Sequence, residues 1–347
     1  MLTILPGPYT LAQDMHTYRI RKLAFYNLEN LFDTVDDSLI FDDDRTPEGK
    51  YRWTVERYRE KIAHLSAVLA EIGSTVSPYS PDLIGLCEVE NRKVLDDLVR
   101  HPNLRDNNYG IIHYDSPDER GIDVALLYKQ KAFTPLTSNS HRLLLYDRDG
   151  KRDYTRDVLV VSGLLDGEEL HLLVNHWPSR SGGQARSNPY RRAAAELNRH
   201  ILDSLLTENP HPAVVLMGDL NDNPTDESLK KVLGAKGNIF SLAEGEWYNP
   251  MEGLYRKGSG TLAYRDKWSL FDQILLSPSF IKPAEGNYRF WRVGIHHPPQ
   301  LSTGHGRFRG YPLRTYSGGR YSGGYSDHLP VFICLIREAG TPLLGHH

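Results

Sequence analysis

Asp219 and Asn221 close the run Val214-Val215-Leu216-Met217-Gly218-Asp219-Leu220-Asn221, a carboxylate and an amide two positions apart. An apolar run of this kind reads as a buried strand, and a period of two sends both side chains to one side of its tip. A carboxylate can orient or deprotonate water, and an amide can donate to a phosphate oxygen. The pair therefore suits hydrolysis.

Comparable tips recur along the chain. Leu83-Ile84-Gly85-Leu86-Cys87-Glu88 ends an apolar run in a carboxylate, which is costly to bury without a cation or hydrogen bonds. Val174-Asn175-His176 ends another in an imidazole, and Ser326-Asp327-His328 precedes a final apolar strand. Asp can bind a hard cation through oxygen, and His moves protons near neutral pH. Asp272 and Asp123 stand at strand starts, and Asn27 ends the first strand. Taken singly, each reads more readily as a cap or an edge residue than as a catalyst.

The elements that must position these groups follow from periodicity. Strand-like runs cover residues 23–27, 83–88, 110–114, 123–128, 158–164, 170–175, 214–217, 271–276 and 331–336. Thr54 caps a helix whose Tyr58, Ile62, Leu65, Leu69 and Ile72 share one face, ending at Gly73. Asn188-Pro189 starts a second with Ala193, Leu197, Ile201 and Leu205 inward, and Thr225 caps a third immediately after the Asp219 tip. Strands outnumber helices and alternate with them irregularly, as in a mixed layered α/β fold.

The composition belongs to a globular protein: 347 residues, 39% hydrophobic and 24% charged, with a mean hydropathy of −0.48. No run approaches the roughly 20 apolar residues of a membrane helix. Cys87 and Cys334, both in apolar runs, read as buried reduced thiols. The start, MLTILPGPYTLAQDM, has no basic region ahead of its weakly apolar segment and is no intact export signal, so the compartment stays open. The net charge of −3 speaks against a global positive field for gripping nucleic acid. Yet residues 287–326 hold six arginines and no acid, interleaved with Tyr311, Tyr316, Tyr321 and Tyr325. Such a segment can contact phosphates and stack bases, and its glycines suggest mobility. The acidic stretch Asp36 to Asp44 lacks the ligand pattern of a calcium loop and reads as solvated.

In order along the chain, FYNLEN, LCEVEN, RGIDVALLY, TRDVLVV, NHWPS, GDLND, FDQILLS and SDHLPV resemble the motifs of the endonuclease/exonuclease/phosphatase superfamily of deoxyribonuclease-like, metal-dependent phosphoesterases. The resemblance runs from Arg21 to Arg337. It implies one domain over 21–337, with an N-terminal extension (1–20) and a C-terminal tail (338–347). The implied fold is a four-layered α/β/β/α sandwich of two packed mixed sheets, with its active site at one edge.

By that resemblance, Glu88 is the main ligand of Mg²⁺ or Mn²⁺, with Asn27 and Asp327 near the metal and room for a second ion. Asp219 and Asn221 face the scissile phosphate. His176 and His328 are paired imidazoles, oriented by Asp123 and Asp272 respectively. Arg156 matches a phosphate-contacting position in some members, while a strand-edge pair with Asp157 is an equal alternative. Arg180, Arg186, Arg191 and Arg192 either line a groove or solvate a helix start.

The implied activity is a metal-dependent phosphodiesterase, foremost a DNA or RNA endonuclease of low sequence specificity. The implied protein is a monomer, with nucleic acid as its expected substrate. Alternatives are a phosphomonoesterase or phospholipid phosphodiesterase on the same core, or a non-catalytic binding module.

Overall fold

The structure is a computed structural model that describes residues 17–243 and 245–339. The first strands are β1 (Tyr18–Leu31), β2 (Leu83–Val89), β3 (Tyr109–His113), β4 (Asp123–Lys129), β5 (Phe133–His141), β6 (Val158–Leu165), β7 (Glu168–His176) and β8 (Val214–Asp219). Toward the C-terminus follow β9 (Ala235–Lys236), β10 (Trp247–Tyr248), β11 (Asp272–Leu276), β12 (Arg289–Ile295) and β13 (Val331–Glu338). Helices α1 (Val55–Glu71), α2 (Arg92–Arg100) and α3 (Gln184–Glu208) flank them, with a short α4 (Met251–Arg256).

One sheet has six strands in the order β12-β13-β1-β2-β4-β3, and the other has seven in the order β9-β10-β11-β8-β7-β6-β5. Both are mixed: β1 runs parallel to β2 but antiparallel to β13, and β8 runs parallel to β7 but antiparallel to β11.

Alternation along each strand builds the layers. Leu23, Phe25, Leu83, Cys87, Val124 and Leu126 face Leu172, Val174, Val215, Met217, Ile274 and Leu276, forming the core between the sheets. The intervening Ala24, Tyr26, Ile84 and Leu86 pack outward on Ile62, Leu65 and Leu69 of α1. Val214, Leu216 and Leu275 pack on Ala194, Ala195 and Leu202 of α3. The architecture is the expected α/β/β/α sandwich. Because both faces are covered, the central strands read as continuous apolar runs.

Two glycines let backbones close up just behind the carboxylate tips. A Cβ on Gly85 would stand 2.5 Å from Met217 Sδ across the inter-sheet core, and one on Gly218 would stand 2.4 Å from Asn175 O on the neighbouring strand. The glycines of LIGLCE and MGDLN thus hold the sheets and strands close where Glu88 and Asp219 emerge.

Several elements differ from expectation. Helix α3 begins at Gln184 rather than at Asn188, because Ser187 N bonds to Gly183 O and starts the ladder a turn early, leaving Pro189 inside the helix. The helix expected after Thr225 shrinks to one wide turn at Ser228–Val232, closed by Leu233 N to Ser228 O, and neither Thr225 nor any other side chain among the described residues caps its start; Asp226 accepts from Asn223 N, upstream of the turn. Thr54 does cap α1, accepting from Arg57 N. Helix α2 appears behind an Asn91 cap.

The arginine-rich segment is no free decoration. Residues 289–295 form edge strand β12, and Tyr316, Tyr321 and Tyr325 pack against the α1 side core. In the acidic stretch, Asp42 is buried and accepts from Asp37 N. Both cysteines are buried and free, and no helix among the described residues is long and apolar enough to cross a membrane. The export-signal reading concerns residues 1–15, which lie outside the described residues.

Candidate active site

Register brings the first three groups together. Asp219 at the tip of β8 pairs with His176 on β7 and with Asp272 on β11, so all three stand at one level of the sheet. Each shares the parity of the inter-sheet core residues on its strand, and Asn27 on β1 follows Leu23 and Phe25 onto the same face. Asn27 Nδ2 donates to Asp219 Oδ2 at 3.1 Å.

Glu88 breaks this pattern. Its parity with Ile84 and Leu86 would send it toward α1, but the strand bulges between Cys87 and Val89, and Glu88 takes φ 59°. A bulge re-aims side chains, and a left-handed non-glycine residue costs about 1–3 kcal/mol. Glu88 Oε2 accepts from Asn30 N at 2.8 Å, and its Oε1 lies 3.4 Å from Asn27 Nδ2. Glu29, Asn30 and Asn221 also have positive φ, so the site collects backbone strain.

Asp219 Oδ2 is the hub. His176 Nε2 stands 3.7 Å from it and 3.9 Å from Glu88 Oε1, and His328 Nε2 stands 3.8 Å from it. These spacings exceed a hydrogen bond, so neither imidazole is bonded directly to the Asp219 carboxylate. Asn221 N holds the other oxygen of Asp219 at 3.0 Å. Asn221 Nδ2 donates to Trp177 O, so one amide hydrogen is engaged within the protein.

The imidazoles differ in charge. His328 Nδ1 lies 2.6 Å from Asp272 Oδ2. Burial alone would lower the His328 pKa, but Asp272 and Asp219 outweigh it and hold it well above its ordinary value. His176 is pushed well below its ordinary value by burial, then by the nearby Arg156 and Arg120 charges. Burial raises the Asp219 carboxyl, with Asp272 and Glu88 adding and His328 opposing. The site therefore holds a cationic and a neutral imidazole on either side of a carboxylate disposed to take a proton.

The expected Asp123–His176 pair does not form. Asp123 bonds His113 Nε2 at 3.0 Å and Ser116 N at 2.7 Å. Parity is the reason: Asp123 shares the face of Ala125 and Leu127, which pack toward the helices, whereas His176 faces the inter-sheet core. His176 Nδ1 is buried without a partner. Arg156 is paired with Asp118 at 3.0 Å rather than with Asp157, and also donates to Trp177 O beside His176. Arg191 is wholly buried against Asp222, so it lines no groove. Arg180 instead braces the tip, donating to Asn221 O, Asp222 and Asp226.

Glu29 and Lys61 escape sequence reasoning. Glu29 Oε2 accepts from Thr315 N at 2.6 Å and lies 3.9 Å from Lys61 Nζ. Lys61, buried on α1, also donates to Thr315 Oγ1 and Tyr325 O. Arg314 bonds Asp327 and approaches Glu29. This network ties the arginine-rich segment to the site floor, and only the FYNLEN motif hints at Glu29.

The donor set fits a hard divalent cation. Asp219, Asp272 and His328 bring their ligand atoms within 4.8 Å of one another, Glu88 lies beside them, 3.4 Å from Asn27 Nδ2 and 3.9 Å from His176 Nε2, and oxygen-rich sites of excess negative charge are where such ions bind. A second cluster, His113, Asp115 and Asp123, lies with Asp115 exposed.

Residues 22–337 match the Endonuclease/Exonuclease/phosphatase family. The chain belongs to that family. Its superfamily consists of hydrolases of phosphate esters that generally use divalent metals. Solved structures share the fold. A family protein from Bacteroides thetaiotaomicron superposes with a TM-score of 0.55 at 17% identity, covering 96% of this chain and 99% of that one. D. rerio TDP2 complexed with single strand DNA product gives 0.54 at 15% identity, covering 91% and 98%. A B. thetaiotaomicron mannosyl-6-phosphatase gives 0.53 at 16% identity, covering 91% and 99%. No curated protein matches the chain.

Proposed function

We propose that this family member is a divalent-metal-dependent phosphodiesterase, an endonuclease of low sequence specificity that cleaves DNA or RNA by attack of water and acts as a monomer. The observation that carries the reading is the ring of Asn27, His176 and His328 around Asp219 Oδ2, with Glu88 beside Asn27 and His176.

Glu88, with Asn27 and Asp327, would hold Mg²⁺ or Mn²⁺, which when bound neutralises charge on the phosphate and lowers the pKa of water. Asp219 orients the attacking water and takes its proton, a role favoured by its raised pKa. His328, kept cationic by Asp272, donates to a non-bridging oxygen of the phosphate. His176, kept neutral, lends Nε2 on the opposite side of Asp219. Asn221 holds Asp219 in place and turns its remaining amide hydrogen to the phosphate. Arg156 adds a fixed cation beside His176.

Asp219→Ala and His328→Ala should each lower metal-dependent turnover by about 10²- to 10⁴-fold with the fold retained. Unchanged turnover in both would end the mechanism. A phosphomonoesterase reading draws on the mannosyl-6-phosphatase of like fold. Mg²⁺-dependent release from bis(p-nitrophenyl) phosphate against p-nitrophenyl phosphate separates diester from monoester preference, and plasmid nicking then tests nucleic acid.

A further inference from the structure

Arginines near the site are mostly committed. Arg57 donates to the carbonyls of Tyr51 and Arg52, Arg156 to Asp118 and Trp177, and Arg180 to Asn221, Asp222 and Asp226. Arg314 is bonded to Asp327. Arg45 differs. Among the described residues no hydrogen bond or ion pair engages its guanidinium, and none of its nitrogens is sealed from solvent.

Aromatic rings frame it instead. Its Cζ lies 5.1 Å from the Phe32 ring centroid and 5.0 Å from that of Tyr51. The frame is itself fixed: Trp53 Nε1 donates to Phe32 O, Tyr316 OH donates to Tyr51 O, and the Tyr51 and Tyr316 rings lie 5.0 Å apart. Two aromatic faces hold a guanidinium through its charge and leave its planar fork of donors for another acceptor.

Its position points to the site. Phe32 lies two residues beyond Asn30, whose N–H binds the Glu88 carboxylate. Burial lowers the Arg45 pKa, and Glu88 is the strongest opposing influence, ahead of Tyr51 and Glu29. Glu88 and Glu29 are nonetheless beyond ion-pair distance. A planar donor framed by a ring two residues beyond the Asn30 that binds Glu88, and bound to no protein anion, has the chemistry of a phosphate receptor.

We infer that Arg45, clamped between Phe32 and Tyr51, receives a second phosphate of the substrate, the one next to the phosphate being cleaved. This rests on the nuclease reading and extends it: the preferred substrate carries at least two phosphates on one strand. The segment from Thr46 to Trp53 and the Tyr316 hairpin, in which Tyr316–Ser317 pairs antiparallel with Arg320–Tyr321, serve to hold the receptor in place.

The test compares the p-nitrophenyl ester of thymidine 5′-phosphate with the same ester bearing a 3′-phosphate, in Mg²⁺. The wild type should show a KM about tenfold lower for the second ester. In Arg45→Gln that ratio should fall to within about twofold, and in Arg45→Lys, which keeps charge without the planar fork, to an intermediate value. With single-stranded oligonucleotides, the slope of log affinity against log salt should fall by about 0.7, one phosphate contact.

A ratio equal in wild type and Arg45→Gln, or a wild type without preference, overturns the inference. So does an equal loss of kcat on both esters at constant ratio, which would move Arg45 to the scissile phosphate. If the wild type cleaves p-nitrophenyl phosphate but neither diester, the nuclease reading has failed instead. Inhibition of that monoesterase by thymidine 3′,5′-bisphosphate against thymidine 5′-phosphate then supplies the ratio, and Arg45 stands or falls on its change in Arg45→Gln as before.

Discussion

The Asp272–His328 pair offers the sharpest perturbation of the proposed chemistry. The two atoms are 2.6 Å apart, with side-chain exposures of 0% and 7%, so the bond is charge-assisted and poorly screened. Asp272→Asn keeps the shape and leaves an amide oxygen to accept from Nδ1, but removes the charge. A hydrogen bond to a charged group contributes about 1.5–3 kcal/mol. The variant should therefore fold with a modestly lower Tm. Burial, no longer outweighed by Asp272, then draws the imidazole pKa down.

Turnover should suffer more than folding. A positioned acid or base supplies about 10²- to 10⁴-fold, and losing the carboxylate that orients and charges the imidazole forfeits most of that. The loss should appear in kcat, with KM changed little, because His328 acts on charge that develops in the transition state. Initial rates on bis(p-nitrophenyl) phosphate from about pH 5 to 9, beside thermal melts, make the measurement. Activity in Asp272→Asn should be relatively better preserved at the acid end, where the imidazole still binds a proton. A kcat within about threefold of wild type, with the same pH profile, would refute the role assigned to the pair.

Three further outcomes follow from contacts away from the reacting atoms. Arg180→Ala releases Asn221 O, Asp222 and Asp226 together, so kcat should fall about tenfold with Mg²⁺ affinity held, checked by metal titration of the rate. Lys61→Met strands the buried Glu29 and should cost about 3–5 kcal/mol in urea unfolding; adding Glu29→Gln should restore part of it, which two independent defects would not do. Asp166 sits in the turn between β6 and β7 and accepts from Arg21 and Tyr288; burial alone would raise its pKa, but these partners outweigh it and hold it below the ordinary 3.8. Its contribution is thus complete above that pH and disappears as pH falls through the folded value, so Asp166→Asn should lower stability by about 1–3 kcal/mol at pH 7 and by progressively less below about pH 4.

The division between what is legible in the sequence and what is not follows burial and parity. Interior strands announce themselves because both faces are covered, and β2, β4, β6, β7, β8 and β11 end within one or two residues of the sequence reading. Strands β5, β9, β10 and β12 escape that reading, and they lie at or beside sheet edges. An edge strand need not be apolar on both faces, and β12 carries Arg289 and Arg292 while β5 carries Thr, Ser and Asn, so hydrophobic pattern gives them no signal. The Tyr316 hairpin escapes for a related reason, since its tyrosines pack through partners far back in sequence, on Tyr51, Trp53 and Arg57.

Within the site the same rule separates success from failure. Asn27, His176, Asp219 and Asp272 all follow the alternation of their strands onto the inter-sheet face, so placing the strand suffices to place the group. Glu88 reaches the cluster only by a bulge and a left-handed backbone, which no periodicity encodes; its place at the end of an apolar run flags the carboxylate, but only family order assigns it to the site. The same order pairs Asp123 with His176, and parity warns against it: an acid two positions before Ala125, on the helix-facing side of β4, cannot meet an imidazole on the opposite face. Lys61 and Glu29 depend on a segment far along the chain, at Thr315 and Tyr325, returning to them, and Arg45 depends on rings at positions 32 and 51. Asn27, His176, Asp219 and Asp272 are thus set by strand register, while Glu88 depends on a bulge, and Arg45, proposed to receive a second phosphate, depends on loops. That division lets one sandwich keep its hydrolytic centre as the bound molecule changes.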